Sequence, residues 1–107
     1  MSADDRMPPG LRGRSLATAL GEEHTLRDLL ARIRESQARL DAIAPLMEAP
    51  LRAAVQAGPL DERAWVLLAR HSAAAAKLRQ LAPAFEAALR AGGWAGPPIK
   101  VKVQKRS

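Results

Sequence analysis

The chain has 107 residues, no cysteine and a formal net charge of +6. This length suits one small domain with a single core, and the lack of cysteine excludes disulfides, thiolate zinc sites and cysteine nucleophiles. The charge is uneven, because residues 1–63 carry nine arginines against ten acidic residues, whereas residues 64–107 carry eight basic residues against Glu86. This asymmetry favours an acidic partner, either nucleic-acid phosphate or an acidic protein surface, with a merely solvated surface as the alternative.

The N-terminal sequence has no apolar core of the kind found in secretory signals, and no stretch approaches the roughly twenty apolar residues of a membrane-spanning helix. We therefore expect a cytoplasmic, monomeric protein that binds no membrane. Residues 1–23 mix proline, glycine, arginine and acidic residues without a period. They predict a mostly disordered tail with a loose turn around residues 16–20, and residues 24–107 form the predicted domain.

From Thr25 onward, apolar residues recur at helical spacing. The pattern predicts a helix from Leu26 to Ala44, with Thr25 as its cap and Asp28 in its first turn. Proline at positions 45 and 50 marks its exit. The apolar positions are Leu26, Leu29, Leu30, Ile33, Leu40, Ile43 and Met47.

Two strands are predicted next, joined as a hairpin. Residues 51–57 alternate, although their alanines prefer helix, and residues 64–70 hold four consecutive apolar side chains typical of a strand buried on both faces. Ser72 is then the expected N-cap of a helix that reaches Ala91, and Pro83 should kink or split it.

The last predicted strand, "IKVKVQK", has the clearest alternation in the chain. Ile99, Val101 and Val103 should point inward, and Lys100 and Lys102 outward. The expected fold is therefore α+β in the order α-β-β-α-β. The first two strands should pair antiparallel, the third should run parallel to the second, and both helices should cover one face of the sheet.

Enzymatic patterns are scarce, so we expect a non-enzyme without a cofactor or metal. His24 and His71 stand at predicted helix starts, where a histidine is more often a cap or surface residue than a catalyst. No phosphate-binding glycine loop followed by lysine occurs. Asp61 and Glu62 fit a solvated turn, and the G-x-x-G sequences at residues 10–13 and 93–96 are interpreted as turns in preference to phosphate-binding loops.

The basic residues near the C-terminus are the main candidates for contact with nucleic acid: Lys100, Lys102, Lys105 and Arg106, with Lys77, Arg79 and Arg70 extending the same side. Alternate strand positions repeat every 6–7 Å or so, a suitable spacing for phosphate contacts. The alternative is that the lysines protect an edge strand from aggregation. Aromatic residues are few, so binding should be weak, salt-sensitive and independent of sequence. Trp65 is expected in the core, and Trp94 is the candidate partner-binding residue.

The segments "SAAAAKLRQLAPAFEAAL" and "PIKVKV" resemble the DciA family of bacterial proteins. The resemblance covers residues 25–104, and its most specific part runs from Ser72 through Leu78 and Arg79 to Pro83. It implies a KH-like fold and a role as a loader or operator of the replicative helicase DnaB, acting by protein binding on single-stranded DNA. Many members carry an aromatic residue where this chain has Ala74. The alternatives are a stand-alone KH-like module that binds RNA or single-stranded DNA without a helicase, and a protein-interaction domain whose lysines are solvated.

Overall fold

The computed structural model describes residues 16–105, with side chains from residue 25 onward. The chain divides into two compact units between Ala31 and Arg32. The first long helix, α1, spans Leu16–Ile43. The predicted start at Leu26 and the loose turn at residues 16–20 are therefore wrong, because the preceding segment is rich in leucine, alanine and glutamate, which favour helix. The predicted domain boundary at residues 23 and 24 falls inside α1, and the rest of the predicted tail lies outside the described residues.

The start of the predicted hairpin also differs from the structure. Helix α1 ends at Ile43, and a 3₁₀ turn, Ala44–Leu46, follows with Pro45 in it, as expected of a proline at a helix exit. A short helix, α2, then spans Ala49–Ala53. The first three residues of the predicted strand at 51–57 are thus helical, because alanine and leucine prefer helix to strand.

Three strands form one mixed sheet: β1, Val55–Leu60; β2, Trp65–Ala69; and β3, Ile99–Val103. Their order is β1-β2-β3, with β1 antiparallel to β2 and β3 parallel to β2. The register places Trp65 opposite Ile99 and Ala69 opposite Val103. The predicted α+β class, the α-β-β-α-β order and the strand directions are confirmed.

Helix α3, Ser72–Ala91, connects β2 to β3. Its N-cap is His71, not Ser72, because Nδ1 of His71 accepts a hydrogen bond from the amide of Ala74 at 3.1 Å. This is the capping role that the sequence suggested for a histidine at a helix start. Pro83 lies inside α3 without splitting it, and it is exposed.

The core of the second unit lies between the helices and one face of the sheet. Its fully buried large side chains are Trp65, Phe85, Ile43, Leu67 and Leu78. Val101 of β3 joins this core, but Val103, which was expected to point inward, is 40% exposed because it is the last residue of the strand. Alternation along the strands places five residues on the opposite face, which we call the outer face: Gln56, Val66, Leu68, Lys100 and Lys102.

Several apolar residues of α1 are exposed although their spacing correctly predicted a helix. Leu26, Leu29 and Leu30 of the first unit are exposed, and Ile33 at the start of the second unit is also exposed. The spacing of apolar residues therefore identified the helix but not which of its turns are buried. Over the described part of the chain, no helix has the length and apolar character needed to cross a membrane.

Candidate functional site

Two lysines of β3 stand side by side on the outer face. Lys100 is in register with Val66, and Lys102 is in register with Leu68, so both cations border an apolar strip of β2. Both lysines are exposed, and within residues 25–105 neither forms an ion pair or a side-chain hydrogen bond. Positions two apart on a strand are about 6–7 Å apart. The pair therefore presents two uncompensated positive charges at a spacing close to that of successive phosphates.

Two further cations lie at the end of the sheet where β2 and β3 finish together. The amide of Gln104 donates a 2.7 Å hydrogen bond to the main-chain oxygen of Ala69, which holds the two strand ends side by side. Arg70 follows β2 directly and Lys105 follows Gln104, and both are exposed. We call Lys100, Lys102, Arg70 and Lys105 the cationic strip. Arg106, also predicted as a contact, lies outside the described residues.

Lys77 and Arg79 do not extend this strip together. Residues two apart on an α-helix are separated by about 200° around its axis, so these side chains leave α3 in nearly opposite directions. Nη2 of Arg79 donates to the main-chain oxygen of Val101 at 3.3 Å, and the carboxylate of Glu86 accepts from the amide of Ile99 at 2.9 Å. Arg79 is thus held against β3, whereas Lys77 is exposed elsewhere on α3.

The contacts of Arg79 and Glu86 occupy two main-chain groups at the edge of the sheet that β3 forms. Main-chain bonds from Trp65 to Pro98 and from Gln104 to Ala69 show that β3 pairs with β2 through its even-numbered residues. The main-chain groups of Ile99 and Val101 therefore point away from β2, and α3 supplies partners to one group of each. Helix α3 thereby protects this part of the edge from pairing with another strand.

A buried arginine lies between the two tryptophans. The side chain of Arg39 is 3% exposed, and its Cζ lies 5.3 Å from the ring centre of Trp94 and 5.9 Å from that of Trp65. Its Nε and Nη2 donate to Oε2 of Glu35 at 2.9 and 2.7 Å, and Nη2 also donates to the main-chain oxygen of Ala95. Arg39 was not predicted as a site residue, because the only local signal is a glutamate four positions earlier, which is common on exposed helices.

Trp94, the predicted partner-binding residue, is half-buried and packs against the core. It belongs to the loop that joins α3 to β3, which contains the second G-x-x-G sequence. A Cβ atom at Gly96, whose φ is +148°, would lie 3.0 Å from Cζ of Arg39, so the close approach of the guanidinium requires glycine there. This loop and α3 border a cleft of about 650 Å³.

Two of the residues considered for catalysis, His71 and Asp61, occupy structural positions. Oδ1 of Asp61 accepts from the amides of Arg63 and Ala64 at 2.7 and 3.0 Å, and these two bonds, that of Ala64 first, lower the pKa of Asp61. Asp61 thus closes the turn between β1 and β2. Among residues 25–105, no group of three or more histidine or acidic side chains is placed to hold a metal ion. The side chain of His24 and the G-x-x-G sequence at residues 10–13 lie outside the described part.

Comparison with known proteins identifies no family for this chain. The chain matches no protein-family model, no curated protein and no solved structure. The resemblance to the DciA family, drawn from the segment between Ser72 and Pro83, therefore stays an expectation.

Proposed function

We propose that this domain is a non-catalytic, monomeric adaptor of the bacterial cytoplasm that binds the replicative helicase DnaB and assists its loading onto single-stranded DNA. The helicase role rests on the sequence resemblance to the DciA family, whose implied strand and helix order agrees with the observed fold. The single observation that supports contact with DNA is the cationic strip, which presents exposed charges along one face and one end of the sheet.

Two features favour phosphate contact over simple protection of the sheet edge. Arg79 and Glu86 already occupy one main-chain group each of Val101 and Ile99, so part of the β3 edge is protected without Lys100 and Lys102. Both lysines also lie without ion-pair partners in the described chain. Cations held in a row and left uncompensated are what a backbone-binding surface requires.

The outer face also limits how DNA can be bound. It carries no aromatic side chain, because Trp65 is buried in the core and Trp94 packs beside Arg39. Without an aromatic ring on which bases could stack, affinity would come from phosphate contacts alone. The strip should therefore bind single strands without regard to sequence and with a marked dependence on salt.

A stand-alone module that binds RNA or single-stranded DNA is the second candidate, because the same strip would serve it equally well. The two functions differ in one property, which is affinity for the helicase. The rival predicts salt-sensitive retention of nucleic acid and no defined complex with DnaB at any salt concentration.

The experiment is a mass-photometry titration of the protein against its host's DnaB, with and without single-stranded DNA, at low and moderate salt. We expect a defined complex that persists at moderate salt. Lys100→Glu combined with Lys102→Glu should weaken DNA binding by the adaptor at least tenfold. A control with the same charge change, Lys77→Glu combined with Arg34→Glu, should retain DNA binding, since both control residues lie outside the strip.

Absence of any helicase complex, with nucleic acid still retained, would overturn the adaptor proposal in favour of the stand-alone module. Helicase binding together with unchanged DNA affinity in the Lys100→Glu and Lys102→Glu variant would show instead that the lysines are merely solvated.

A further inference from the structure

We propose that the cleft beside Trp94 is a docking site for a partner peptide that carries a large apolar side chain next to a carboxylate. The inference deepens the proposed function and rests on it for the identity of the partner, since such a peptide on the helicase would supply the adaptor's protein contact. The cleft and the cationic strip share no residue, because none of the four cations of the strip lines the cleft.

The size and walls of the cleft suit a side chain of a peptide. Its volume of about 650 Å³ falls within the range of roughly 300–1,000 Å³ that is typical of binding clefts. Much of the wall is apolar, contributed by Leu89, Trp94, Pro97 and Pro98. Trp94 is half-buried, packs against the core and also lines the cleft.

The loop that forms the cleft is held along its length before any partner binds. Where the loop begins, the amide of Gly93 donates to the main-chain oxygen of Arg90 at 3.0 Å, and the amide of Trp94 donates to that of Leu89 at 2.9 Å. Where it ends, the amide of Ile99 is bonded to Glu86. A loop already fixed in this way loses little conformational freedom on binding, which favours affinity.

Arg39 fixes the middle of the same loop. Its guanidinium donates to the main-chain oxygen of Ala95 and lies against the ring of Trp94, and its charge is balanced by Glu35. Because Arg39 is committed to these contacts, it supports the wall of the cleft and does not supply a free charge.

The polar groups of the cleft that have no partner in the described chain favour a carboxylate as the ligand. Arg90 lines the cleft, is exposed, and forms no ion pair or side-chain hydrogen bond in the described part of the chain. The amides of Ala95 and Gly96 likewise have no partner among residues 25–105. Glu86, the acidic residue among those that line the cleft, accepts from the amide of Ile99 through Oε2, so that carboxylate oxygen is directed toward β3. One cation and two amide donors beside an apolar wall complement a carboxylate next to an apolar side chain.

Nucleic acid is a poorer fit to this cleft. Arg39 lies over the ring of Trp94 at 5.3 Å, so one face of the ring is not available for base stacking. Arg90 offers only one charge, whereas binding along a strand needs several in a row. The cleft and the cationic strip therefore favour different ligands, a peptide and a nucleic-acid strand.

The test is an NMR titration of the ¹⁵N-labelled full chain with the peptide acetyl-Ser-Asp-Leu-Phe-Glu-Ser-amide. The two tryptophan indole signals serve as internal probes, because the indole of Trp65 is buried and bonded to Ser36 while Trp94 lines the cleft. We expect the peptide to shift the indole of Trp94 and the amides of Gly93 and Gly96, and to leave the indole of Trp65 in place.

Arg90→Glu should weaken binding of the peptide at least tenfold. Arg34→Glu, an equal charge change at an exposed position of α1, should leave the peptide affinity unchanged. A peptide with lysine in place of both acidic residues should bind at least tenfold more weakly. The inference is overturned if the acidic peptide causes no shift at millimolar concentration, if the lysine peptide binds equally, or if the shifts fall on Lys100 and Lys102.

The same variant separates this inference from the proposed function. Tenfold weaker helicase binding by Arg90→Glu, with DNA binding retained, would support the cleft as the contact site. Unchanged helicase binding by Arg90→Glu would overturn the cleft inference and leave the adaptor function intact. If the wild-type protein binds no helicase, the proposed function fails, and the peptide titration still decides whether the cleft binds such a ligand.

Discussion

The indole nitrogen of Trp65 donates a 2.9 Å hydrogen bond to the hydroxyl of Ser36. That hydroxyl in turn donates to the main-chain oxygen of Gly58 at 2.7 Å, so one buried serine links α1, β1 and β2. Gly58 lies where the register between β1 and β2 shifts, and a Cβ atom there would lie 2.8 Å from the main-chain oxygen of Val66. Ser36 thus gives partners to two polar groups at a point where the strands approach closely.

We expect Ser36→Ala to lower the free energy of unfolding by about 2 kcal/mol. The substitution leaves the indole N–H of Trp65 and the carbonyl of Gly58 without a partner, and a buried polar group without a partner costs about 1–3 kcal/mol. Urea denaturation measures the change. Gln37→Ala, on the neighbouring exposed position of α1, should change stability by less than about 0.5 kcal/mol. Equal effects of the two substitutions would contradict the role given to Ser36.

The ion pair of Arg39 and Glu35 yields an asymmetric prediction. Glu35→Ala leaves a guanidinium that is 3% exposed without its carboxylate, and should cost about 2 kcal/mol of stability. This expected loss of stability is below the range for fully buried ion pairs because Glu35 itself is 44% exposed. Glu35→Gln keeps an acceptor for Arg39 and should cost less.

Thermal or urea unfolding of these variants, with Glu62→Ala as an exposed control, checks the order of the effects. If Glu35→Ala were as mild as the control, Arg39 would not depend on that carboxylate for its charge balance.

Alanine substitutions at two glycines of the loop between α3 and β3 distinguish the cost of backbone strain from that of a steric clash. Gly93 has a φ of +88° with open space around it, so Gly93→Ala should cost only the strain of that conformation, about 1–2 kcal/mol. Gly96→Ala adds a collision with the guanidinium of Arg39 and should cost more.

Gly96→Ala should also change the fluorescence of Trp94, because Arg39 lies against that ring. Chemical denaturation monitored by far-ultraviolet circular dichroism gives the stabilities, and emission spectra of the folded variants give the local effect. Equal stability losses at the two positions would show that Arg39 can move aside without cost.

The lowered pKa of Asp61 should make the free energy of unfolding depend on pH in the acidic range. Its pKa is lowered in the folded protein by hydrogen bonds from the amides of Ala64 and Arg63. A carboxyl group whose pKa is lower in the folded than in the unfolded chain stabilises the fold above the unfolded value, which is near 4. This contribution is lost as the pH falls through the folded pKa. The stability difference between wild type and Asp61→Asn should therefore shrink between pH 5 and pH 2.

Urea midpoints of the two proteins, measured at intervals across this range, test the expectation. Glu62→Gln is the matched control, since Glu62 is an exposed acidic neighbour in the same turn. A difference between wild type and Asp61→Asn that stays constant with pH would contradict it.

The sequence predicted those features of the fold that depend on local patterns. Alternation in β3 identified the outward lysines, and the apolar run at Trp65 identified the central strand. The start of α1 was misjudged because its first residues lack a regular apolar period although their helix propensity is high. The first three residues of the predicted first strand belong to α2 for a similar reason, because the helix propensity of alanine and leucine prevailed over the alternation.

The features that depend on distant contacts were not predictable in this way. Arg39 resembled an exposed helix residue in sequence, and it is buried only because the loop after α3 places Trp94 and Ala95 against it, more than fifty residues later. Lys77 and Arg79 were grouped by proximity in sequence, whereas helix geometry separates them. Burial and face are set by tertiary packing, which a local pattern does not contain.

The salt dependence of DNA binding should report the number of phosphates that the protein neutralises. For single strands, the slope of log affinity against log salt concentration is about −0.7 for each phosphate neutralised. The substitution pair Lys100→Ala and Lys102→Ala removes two contacts, so the slope should become shallower by about 1.4 units. Fluorescence anisotropy with a labelled oligothymidine at four salt concentrations measures it. Lys77→Ala should leave the slope unchanged, because Lys77 lies on α3 and outside the strip. A double variant with the wild-type slope would mean that the two lysines neutralise no phosphate, and the DNA contacts would then have to lie elsewhere on the chain.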